Sequence, residues 1–338
     1  MLLLDRADFP RQKACAGGLT PRTLQCFRYD VSAFVKRECL RVRVVPRGSR
    51  PFVIESGKPL CWMADRYELD AFLLKKAVEK GGRFLKIRRV RSIDSSRESV
   101  TASADGEVFK SSFLIGADGA ESRVRRLTGA GPDPERRFGA AADVPVERPH
   151  RYMMEFDFSS KEKGYYWIFP KDDHVNIGIY SPFARPGFLK RKLFDYAARR
   201  LCSDRLENLK GAFVPTGGFR YRPVPGRVLL CGDAAGFAEP LLGEGICFAV
   251  RSGQLAASAV LESESSGKSA GRLYREKLGG IRRELRLAHI GAGWFYAHER
   301  AGLKLLSFPF VRRRLARVYA DGFLLSDMLR FQPPGTDL

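Results

Sequence analysis

Histidine and paired cysteine are scarce in this sequence, which argues against a metal centre or a disulfide framework. Four histidines occur in 338 residues, and the seven cysteines include no CxxC pair. Scattered, unpaired cysteines are typical of a reducing compartment, so we expect a cytoplasmic protein that binds no metal. The sequence also lacks the apolar run of roughly 18 residues that a membrane-spanning helix needs, and its first residues do not resemble a signal peptide.

The glycine turn GxGxxG is missing as well. In dinucleotide-binding folds this turn follows the first strand, and an acid about 20 residues later holds the ribose. Asp5 has the position of that acid, because it ends a predicted strand over residues 2–4. Either the true start lies upstream of Met1, or the protein lacks its first strand–turn–helix unit. We expect the first, because a parallel sheet without its central strand would expose unpaired edges.

Positive charge is abundant. Lys and Arg number 59 against 38 Asp and Glu, which gives a net charge of +21. Such an excess attracts nucleic acid, anionic lipid headgroups or phosphorylated substrates, or it simply keeps the surface soluble. The sequence contains no helix-turn-helix, RNA-binding signature or zinc finger, so we expect no nucleic-acid partner. Its 44% hydrophobic residues predict a globular chain with a sizeable core.

Hydrophobic periodicity predicts an α/β chain with an antiparallel β insert. We expect strands at residues 84–93, 99–104, 113–117, 151–182 and 228–231. We expect helices at residues 65–80, 194–202 and 203–210, and a linker at 129–150. The predicted units are a cofactor-binding domain in two parts, an antiparallel substrate domain and a C-terminal helical region. Their bounds are 1–145 and 225–262, 146–224, and 263–338, respectively.

The most informative segment is residues 228–257, which read as a strand, a Gly-Asp turn, a loop and a helix. Asp233 follows the strand, where a carboxylate can accept hydrogen bonds from sugar or ribityl hydroxyls. Gly243 and Gly245 then bring bare backbone amides to a helix start at Ile246. A helix N-terminus carries partial positive charge, so it favours a phosphate or an electron-rich ring. The segment therefore predicts a cofactor site.

Several further motifs agree with one family. They are Lys-x-Cys-x-Gly-Gly at Lys13, Cys15, Gly17 and Gly18, Arg66 with Asp70, Asp118-Gly119 with Ser122 and Arg125, and YYWIFPKDDHVNIGIY at residues 165–180. With the 228–257 segment, they resemble the geranylgeranyl reductase family of FAD-dependent oxidoreductases, which share the fold of para-hydroxybenzoate hydroxylase. The resemblance implies a Rossmann-like FAD/NAD(P)-binding domain with an inserted antiparallel substrate domain and C-terminal helices.

The resemblance also implies roles for these residues. The implied cofactor is FAD, reduced by NAD(P)H or another donor, and the implied substrate is a polyprenyl chain whose isolated C=C bonds are reduced. The implied cofactor-binding residues are Asp5, Arg66, Asp118, Gly119, Gly232, Asp233, Pro240, Gly243, Gly245 and Ile246. The implied substrate-binding residues are Tyr165, Trp167, Phe169, Pro170, Gly178 and Tyr180. Cys15 is the candidate catalytic residue, as a proton donor or a positioning group.

Each assignment has a plainer structural alternative. Tyr165, Trp167 and Phe169 share one strand face, which suits a core as well as a substrate tunnel. Cys15 could be a small buried hydrophobic residue, and Asp118 could cap a turn. At the level of the whole chain, the alternatives are a flavin monooxygenase or halogenase of the same fold and a truncated, non-catalytic lipid-binding protein.

The segment 310–319, FVRRRLARVY, predicts a basic amphipathic helix. Val311, Leu315 and Val318 share a face opposite three arginines. Such a helix either packs on the domain with solvated arginines or rests on anionic lipid at a membrane surface. Peripheral contact with anionic membrane lipid is therefore an expected second partner besides the prenyl substrate.

Overall fold

The computed structural model describes residues 1–161, 163–182, 186–223 and 226–322, so the end of the predicted C-terminal helical region lies outside the described residues. The helices are α1 (Pro21–Cys26), α2 (Arg66–Glu79), α3 (Arg123–Thr128), α4 (Pro186–Leu201), α5 (Ile246–Ser266), α6 (Ala270–Lys277), α7 (Gly279–Ala297), α8 (Glu299–Ser307) and α9 (Pro309–Ala320). The strands of the first half are β1 (Leu2–Asp5), β2 (Gly18–Leu19), β3 (Val35–Cys39), β4 (Arg41–Pro46), β5 (Phe52–Glu55), β6 (Cys61–Ala64), β7 (Arg83–Lys86), β8 (Val90–Ser95), β9 (Val100–Ala104), β10 (Glu107–Ser111) and β11 (Leu114–Gly116). The later strands are β12 (Glu135–Pro145), β13 (Met154–Phe158), β14 (Tyr165–Pro170), β15 (His174–Ser181), β16 (Glu207–Thr216) and β17 (Val228–Leu230).

A seven-stranded sheet, in the order β16-β12-β15-β14-β13-β4-β5, is the largest layer of the described chain. Neighbouring strands run antiparallel except β13 and β4, which run parallel. The predicted antiparallel strands within residues 151–182 are β13, β14 and β15. Strands β4, β5 and β12 come from residues 1–145, so the sheet continues across the predicted boundary between residues 145 and 146.

Two predictions of local structure were wrong. The expected linker contains β12, an 11-residue strand near one edge of the large sheet. Its inward positions are mostly alanine, so the apolar alternation is weak in the sequence. The expected helix at 203–210 is replaced by the start of β16, because α4 ends at Leu201 and Cys202 adopts a left-handed φ of 52°.

The two faces of the large sheet are covered by different helices. On one face, Tyr166, Ile168 and Ile177 pack against Leu189 and Leu193 of α4. On the other face, a second cluster joins sheet residues to α7, α8 and α9, and its members include Tyr165, Trp167, Phe169, Tyr180, Phe295, Tyr296, Leu303 and Ala316. Successive side chains of a strand point to opposite faces, which explains how β14 contributes to both clusters.

The remainder of the described chain forms the expected α/β part. β1 pairs with β7 and β11 pairs with β17, and both pairs are parallel. β17 packs with α5 and α6 around a core that contains Leu229, Leu230 and Tyr274. The helix expected at 65–80 is α2, and the strand expected at 84–93 divides into β7 and β8. The fold class is therefore confirmed as α/β with an antiparallel sheet.

The C-terminal region is helical through α9, as expected. No described helix combines the length and hydropathy needed to cross a bilayer. In α9 the buried positions are Ala316 and Ala320, and Arg312 donates a hydrogen bond to the Val53 carbonyl at 3.4 Å. The helix thus packs beside β5, and Arg312 lies on its inner side rather than among the solvated arginines.

Gly178 allows a test of the packing between β14 and β15. A Cβ at Gly178 would lie 1.9 Å from the Trp167 indole on the neighbouring strand. We expect Gly178→Ala to lower the free energy of unfolding by about 1–3 kcal/mol, the usual cost of overpacking a core, as measured by urea denaturation. Gly187→Ala is the control, because a Cβ there meets nothing within 4 Å. Equal stability of the two variants would contradict the packing.

Candidate functional site

The Gly-Asp turn after β17 is fixed by close backbone packing. Gly232 has a left-handed φ of 56°, and a Cβ there would lie 3.1 Å from Ala249 of α5. Its N–H donates to the Ser252 hydroxyl at 2.9 Å. Glycine is therefore required here both for the turn and for the approach of α5. The turn points Asp233 towards the first residues of that helix.

Asp233 is a partly buried carboxylate that, among the described residues, has no hydrogen-bond or ion-pair partner. Burial raises its pKa, against the attraction of Lys13 and Arg66. One carboxylate oxygen lies 3.5 Å from where a Cβ of Gly245 would be. An acceptor left without donors beside a helix start fits a ligand that brings hydroxyl groups.

The start of α5 is open in the same way. Gly245 is the N-cap residue, and no side chain caps the helix. The first N–H groups of a helix have no partner within it, and here an oxygen of Asp233 lies 3.5 Å from the Cβ position of the N-cap residue. Ile246 packs against Leu19 and Leu69 at this point. The geometry thus brings Asp233, Gly245 and Ile246 together, as their order in the sequence predicts.

Two glutamates hold the loop between the turn and α5, and sequence reasoning gave them no role. The buried carboxylate of Glu239 accepts hydrogen bonds from the N–H groups of Leu241 and Leu242, at 2.6 and 2.8 Å. Burial raises the pKa of Glu239 to about 7. The signal available in the sequence was an acid inside an otherwise apolar loop.

Glu244 fastens the same loop to α1. Its carboxylate accepts hydrogen bonds from the hydroxyls of Thr20 and Thr23, at 2.7 and 3.1 Å. It also forms a short ion pair with Arg22, which in turn reaches Glu284 on α7 at 3.4 Å. These partners lie more than 200 residues apart in sequence, so the pairing could not be predicted from local patterns.

Three tyrosines of the aromatic cluster bind this loop from the other side. The hydroxyls of Tyr180, Tyr296 and Tyr165 donate to the carbonyls of Pro240, Leu241 and Leu242, respectively, at 2.9, 2.7 and 2.5 Å. Two of them, Tyr165 and Tyr180, belong to the residues that the resemblance assigns to the substrate. They therefore connect the aromatic face of the sheet to the loop that leads into α5.

The Cys15 loop meets α2 beside the turn. Arg66 donates to both oxygens of Asp70, at 2.7 and 3.0 Å, and to the Cys15 sulfur at 3.6 Å. The neighbouring Arg66 and burial lower the pKa of Lys13, against the pull of Asp233. A compact group of cations thus lies near the open carboxylate, in position to bind an anionic ligand.

Asp118 and Gly119 form the turn before α3, in which Gly119 has a left-handed φ of 80°. The Asp118 carboxylate accepts hydrogen bonds from the N–H groups of Arg123 and Val124, at 2.7 and 3.0 Å, and so caps α3. Arg125 of this helix donates to the Ala234 carbonyl at 2.6 Å, which ties α3 to the Gly-Asp turn. Asp5 lies at the end of β1, where it accepts a bond from the N–H of Ala7 at 2.9 Å.

A cavity of about 400 Å³ opens between the Cys15 loop and the end of the large sheet. Its walls include Cys15, Arg66, Asp143, His174 and Asn176. Burial favours a higher pKa for Asp143, but hydrogen bonds from His174 and two asparagines outweigh burial and lower this pKa to about 2.

Trp167 connects to this cavity through Asn176. The indole N–H donates to the Asn176 amide oxygen at 2.9 Å, and Asn176 donates to Asp143 at 2.8 Å. Burial lowers the pKa of His174, but its hydrogen bonds to Asp143 and Asp173 outweigh burial, so the pKa is raised above the usual value. A polar chain therefore runs from the aromatic cluster to the cavity wall.

The aromatic residues predicted to bind substrate share one buried face. The ring centroid of Trp167 lies 6.3 Å from that of Tyr165 and also 6.3 Å from that of Phe169. Phe156 contacts both Tyr165 and Phe169 edge-on. Gly178 provides the space for the Trp167 indole, and Pro170 ends the strand. This face packs against α7 in the described structure, so it combines a core role with a position beside the loop.

Comparison with known proteins identifies the family. Residues 2–183 match the model of an FAD binding domain. An uncharacterised protein of Methanosarcina barkeri is 34% identical over 88% of this chain and 78% of its own length, and a menaquinone reductase of Mycobacterium tuberculosis is 30% identical over 76% and 69%. The chloroplastic geranylgeranyl diphosphate reductase of Oryza sativa is 32% identical over 61% of this chain and 49% of the plant protein.

The chain belongs to the geranylgeranyl reductase family of FAD-dependent oxidoreductases. A geranylgeranyl bacteriochlorophyll reductase-like structure from Thermoplasma acidophilum has a TM-score of 0.76 at 20% identity, over 97% of this chain and 88% of that one. The flavin-dependent brominase Bmp2 has a TM-score of 0.71 at 19% identity, over 95% and 87%. At these identities the structural likeness shows the fold alone. The chain spans about half the length of the plant reductases it matches.

Three features of the structure itself suit the binding of FAD. None of the described residues donates to the Asp233 carboxylate, no side chain caps α5, and Lys13 and Arg66 supply positive charge nearby. The predicted cofactor residues around α5 and α2 are thus brought together, whereas Asp118 and Asp5 bind their own backbone neighbours. Sequence reasoning missed Arg22, Glu239 and Glu244.

The substitution Asp233→Asn tests this site, because we expect it to increase stability and to weaken FAD binding. Its folded pKa is raised, so the charged form costs stability as the pH rises above the unfolded value of about 3.9. We expect Asp233→Asn to raise the melting temperature of the flavin-free chain at pH 8 and to weaken FAD binding about 10- to 100-fold, through loss of a charged acceptor. Thermal unfolding and flavin fluorescence titration measure the two effects.

Asp143→Asn is the matched control. The pKa of Asp143 is lowered, so its charge stabilises the fold above a pH of about 3.9, and this stability is lost as the pH falls towards 2. We expect this variant to lose about 1–2 kcal/mol at pH 8. A loss of stability in both variants, or unchanged FAD affinity in Asp233→Asn, would contradict the assignment of Asp233.

Proposed function

We propose that the protein reduces isolated C=C bonds of a polyprenyl group carried on a lipid, a quinone or a diphosphate, with NAD(P)H as the electron donor. One observation carries the proposal. The aromatic face of β14 and β15 is joined by the hydroxyls of Tyr165 and Tyr180 to the loop that leads to the open start of α5. In the proposed function, the apolar wall would thereby lie next to the bound flavin.

The relatives support the choice of substrate class. Besides the plant reductase, a protein of Methanothrix thermoacetophila that is 27% identical over 79% of this chain is named digeranylgeranylglycerophospholipid reductase. These names belong to those proteins, and the transfer to this chain is our proposal. The aromatic cluster gives it a physical basis, because a prenyl chain is apolar and requires a dry, extended wall.

The residues of the chain would divide the work as follows. FAD, when bound and reduced, supplies the hydride. Asp233 would accept hydrogen bonds from its ribityl chain, and the N–H groups at the start of α5 would stabilise negative charge on its ring. Lys13 and Arg66 would bind its phosphates, and the aromatic face would exclude water and align the alkene.

Reduction of an unpolarised alkene also requires a proton at the second carbon. We propose Cys15 as the donor or as the group that positions it, because its sulfur lies on the wall of the 400 Å³ cavity and contacts Arg66. The polar chain through Asn176 and Asp143 to His174 opens on the same cavity. Protons could therefore be resupplied from the cavity without water entering the aromatic cluster.

The test is an anaerobic reaction with reduced FAD and prenyl substrates, followed by mass spectrometry. We expect a gain of two hydrogens for each reduced bond in geranylgeranyl diphosphate, in a geranylgeranylated glycerophospholipid or in menaquinone. Bound flavin with oxygen-dependent turnover and no such gain would instead identify a monooxygenase or halogenase. A purified chain that added FAD does not colour would identify a non-catalytic protein.

Trp167→Phe and Tyr180→Phe separate the aromatic wall from the flavin loop. Trp167→Phe removes surface and the bond to Asn176, so we expect turnover of long prenyl chains to fall about tenfold while FAD affinity stays unchanged. Tyr180→Phe leaves the Pro240 carbonyl without its donor, so we expect FAD affinity itself to fall up to about tenfold. Loss of flavin in both variants would indicate that Trp167 serves only the core.

We also propose that the C-terminal helices contact anionic lipid. Ile290, Trp294, Leu305, Phe308 and Phe310 are large apolar residues that are about half or more exposed, and all lie on or between α7 and α9. Exposed arginines of α9 follow Phe310 by three and four residues, at positions 313 and 314. Apolar surface flanked by arginine is the combination that binds at a membrane interface.

Vesicle sedimentation tests this contact. We expect the chain to sediment with phosphatidylglycerol vesicles more than with phosphatidylcholine vesicles. Phe310→Ser should weaken sedimentation, because Phe310 is 74% exposed, whereas Val108→Ser, at a comparably exposed apolar position on β10, should not. Identical binding by the two variants would exclude the C-terminal helices as the contact surface.

A further inference from the structure

Two cysteines from distant parts of the sequence meet behind the start of α5. Cys26 is the last residue of α1, and Cys247 is the second residue of α5. Their sulfur atoms lie 3.5 Å apart. Both sulfurs also lie near one acceptor, the carbonyl of Arg22, at 3.2 and 3.8 Å. The two side chains therefore point at one another.

The two helices that carry this pair are already fixed to each other. The ion pair of Arg22 with Glu244 joins α1 to a residue two positions before the start of α5. In addition, the Gln254 amide donates to the Cys26 carbonyl at 2.7 Å. A disulfide requires a sulfur–sulfur distance of about 2.05 Å. The sulfurs, now 3.5 Å apart, therefore need to approach by about 1.5 Å.

The electrostatics of the pair are asymmetric. The hydrogen bond with Cys247 lowers the pKa of Cys26 to about 7, against burial, and the nearby Arg251 acts in the same direction. The hydrogen bond and burial raise the pKa of Cys247. Cys26 is only partly buried, so a small oxidant can reach it. Thiolates are the reactive form of cysteine, and Cys26 is therefore the thiol of this pair that reacts first.

A second pair of cysteines in the chain provides an internal comparison. Cys39 of β3 lies directly opposite Cys61 of β6 in the sheet register. Both side chains are buried, at 5% and 2% exposure, and burial raises the pKa of both, for Cys39 to about 11. These thiols keep their protons and are shielded from solvent. Access and charge thus distinguish the two pairs.

We propose that Cys26 and Cys247 form an intramolecular disulfide when the protein meets a peroxide. The Cys26 thiolate attacks one peroxide oxygen, the O–O bond breaks, and a sulfenic acid forms as hydroxide leaves and takes up a proton. The Cys247 sulfur then attacks the Cys26 sulfur, the S–O bond breaks, and a second water leaves. Two thiols and one hydrogen peroxide give one disulfide and two waters, and a dithiol reductant reverses the change.

The disulfide would link the end of α1 covalently to the first turn of α5. This turn carries the open N–H groups next to Asp233, so oxidation would hold that part of the candidate site in place. The disulfide itself depends only on the two cysteines and their surroundings, and it stands whether or not the chain reduces prenyl groups.

The experiment treats the reduced full chain with one equivalent of hydrogen peroxide and then blocks free thiols. We expect the intact mass to lose two hydrogens, and digestion without reductant to yield a linked peptide that contains Cys26 and Cys247. The oxidation rate should rise with pH around a midpoint near 7, rather than near the value of about 8.5 for an ordinary thiol.

Variants assign the chemistry. Cys26→Ser should abolish the linked peptide, Cys247→Ser should leave a sulfenic acid on Cys26 that dimedone traps, and Cys39→Ser should change neither result. Cys247→Ala replaces Cys247→Ser if the buried hydroxyl impairs folding, which circular dichroism reports. A linked peptide from Cys39 and Cys61, or oxidation of Cys26 to the sulfinic acid in the unaltered chain without any link, would overturn the proposal.

Discussion

The arrangement around the candidate site depends on one constraint, which is that the loop from Glu239 to Gly245 has no exposed residue: Glu239 and Pro240 are buried, and residues 241–245 are half-buried. Backbone groups held away from water need partners, and these must come from the protein. Glu239 accepts from two of its N–H groups, and tyrosine hydroxyls donate to three of its carbonyls. These bonds fix the loop to the large sheet and to α7, and Glu244 fixes it to α1. Together these contacts position the first turn of α5.

The carboxylates in the interior of the molecule differ from one another in whether they have hydrogen-bond donors. The chain has a large excess of basic residues, yet the carboxylates at its centre are individually matched with donors. Glu244 has Arg22 and two threonines, and Asp143 has a histidine and two asparagines. Asp233 is the exception among the residues discussed. A carboxylate held partly out of water without donors costs stability, which is the pattern expected where a ligand supplies the donors.

The sequence predicted those parts of the fold that depend on local patterns. The strand, turn and helix around Asp233 were recognisable because glycine spacing and a buried strand are short-range signals, and the alternation of β14 placed Tyr165, Trp167 and Phe169 on one face. Strand β12 was missed because alanine gives weak alternation. The partners Arg22 and Glu244 were missed because nothing local reports a contact between distant segments. The hydroxyl contacts of Tyr165 and Tyr180 were missed because phenylalanine would produce the same hydrophobic pattern.

The parallel pairing of β4 with β13 has a consequence for how the molecule assembles. Met154 pairs with Val42, so the large sheet is built from two segments, residues 41–55 and residues 135–216, that are separated by residues 56–134. The hairpin of β4 and β5 can form early during synthesis, but the edge of β4 stays unpaired until β13 has left the ribosome. Long-range pairing of this kind slows folding, and an open edge invites association with other chains. The nascent protein therefore passes through a period in which this edge is open to association with other chains.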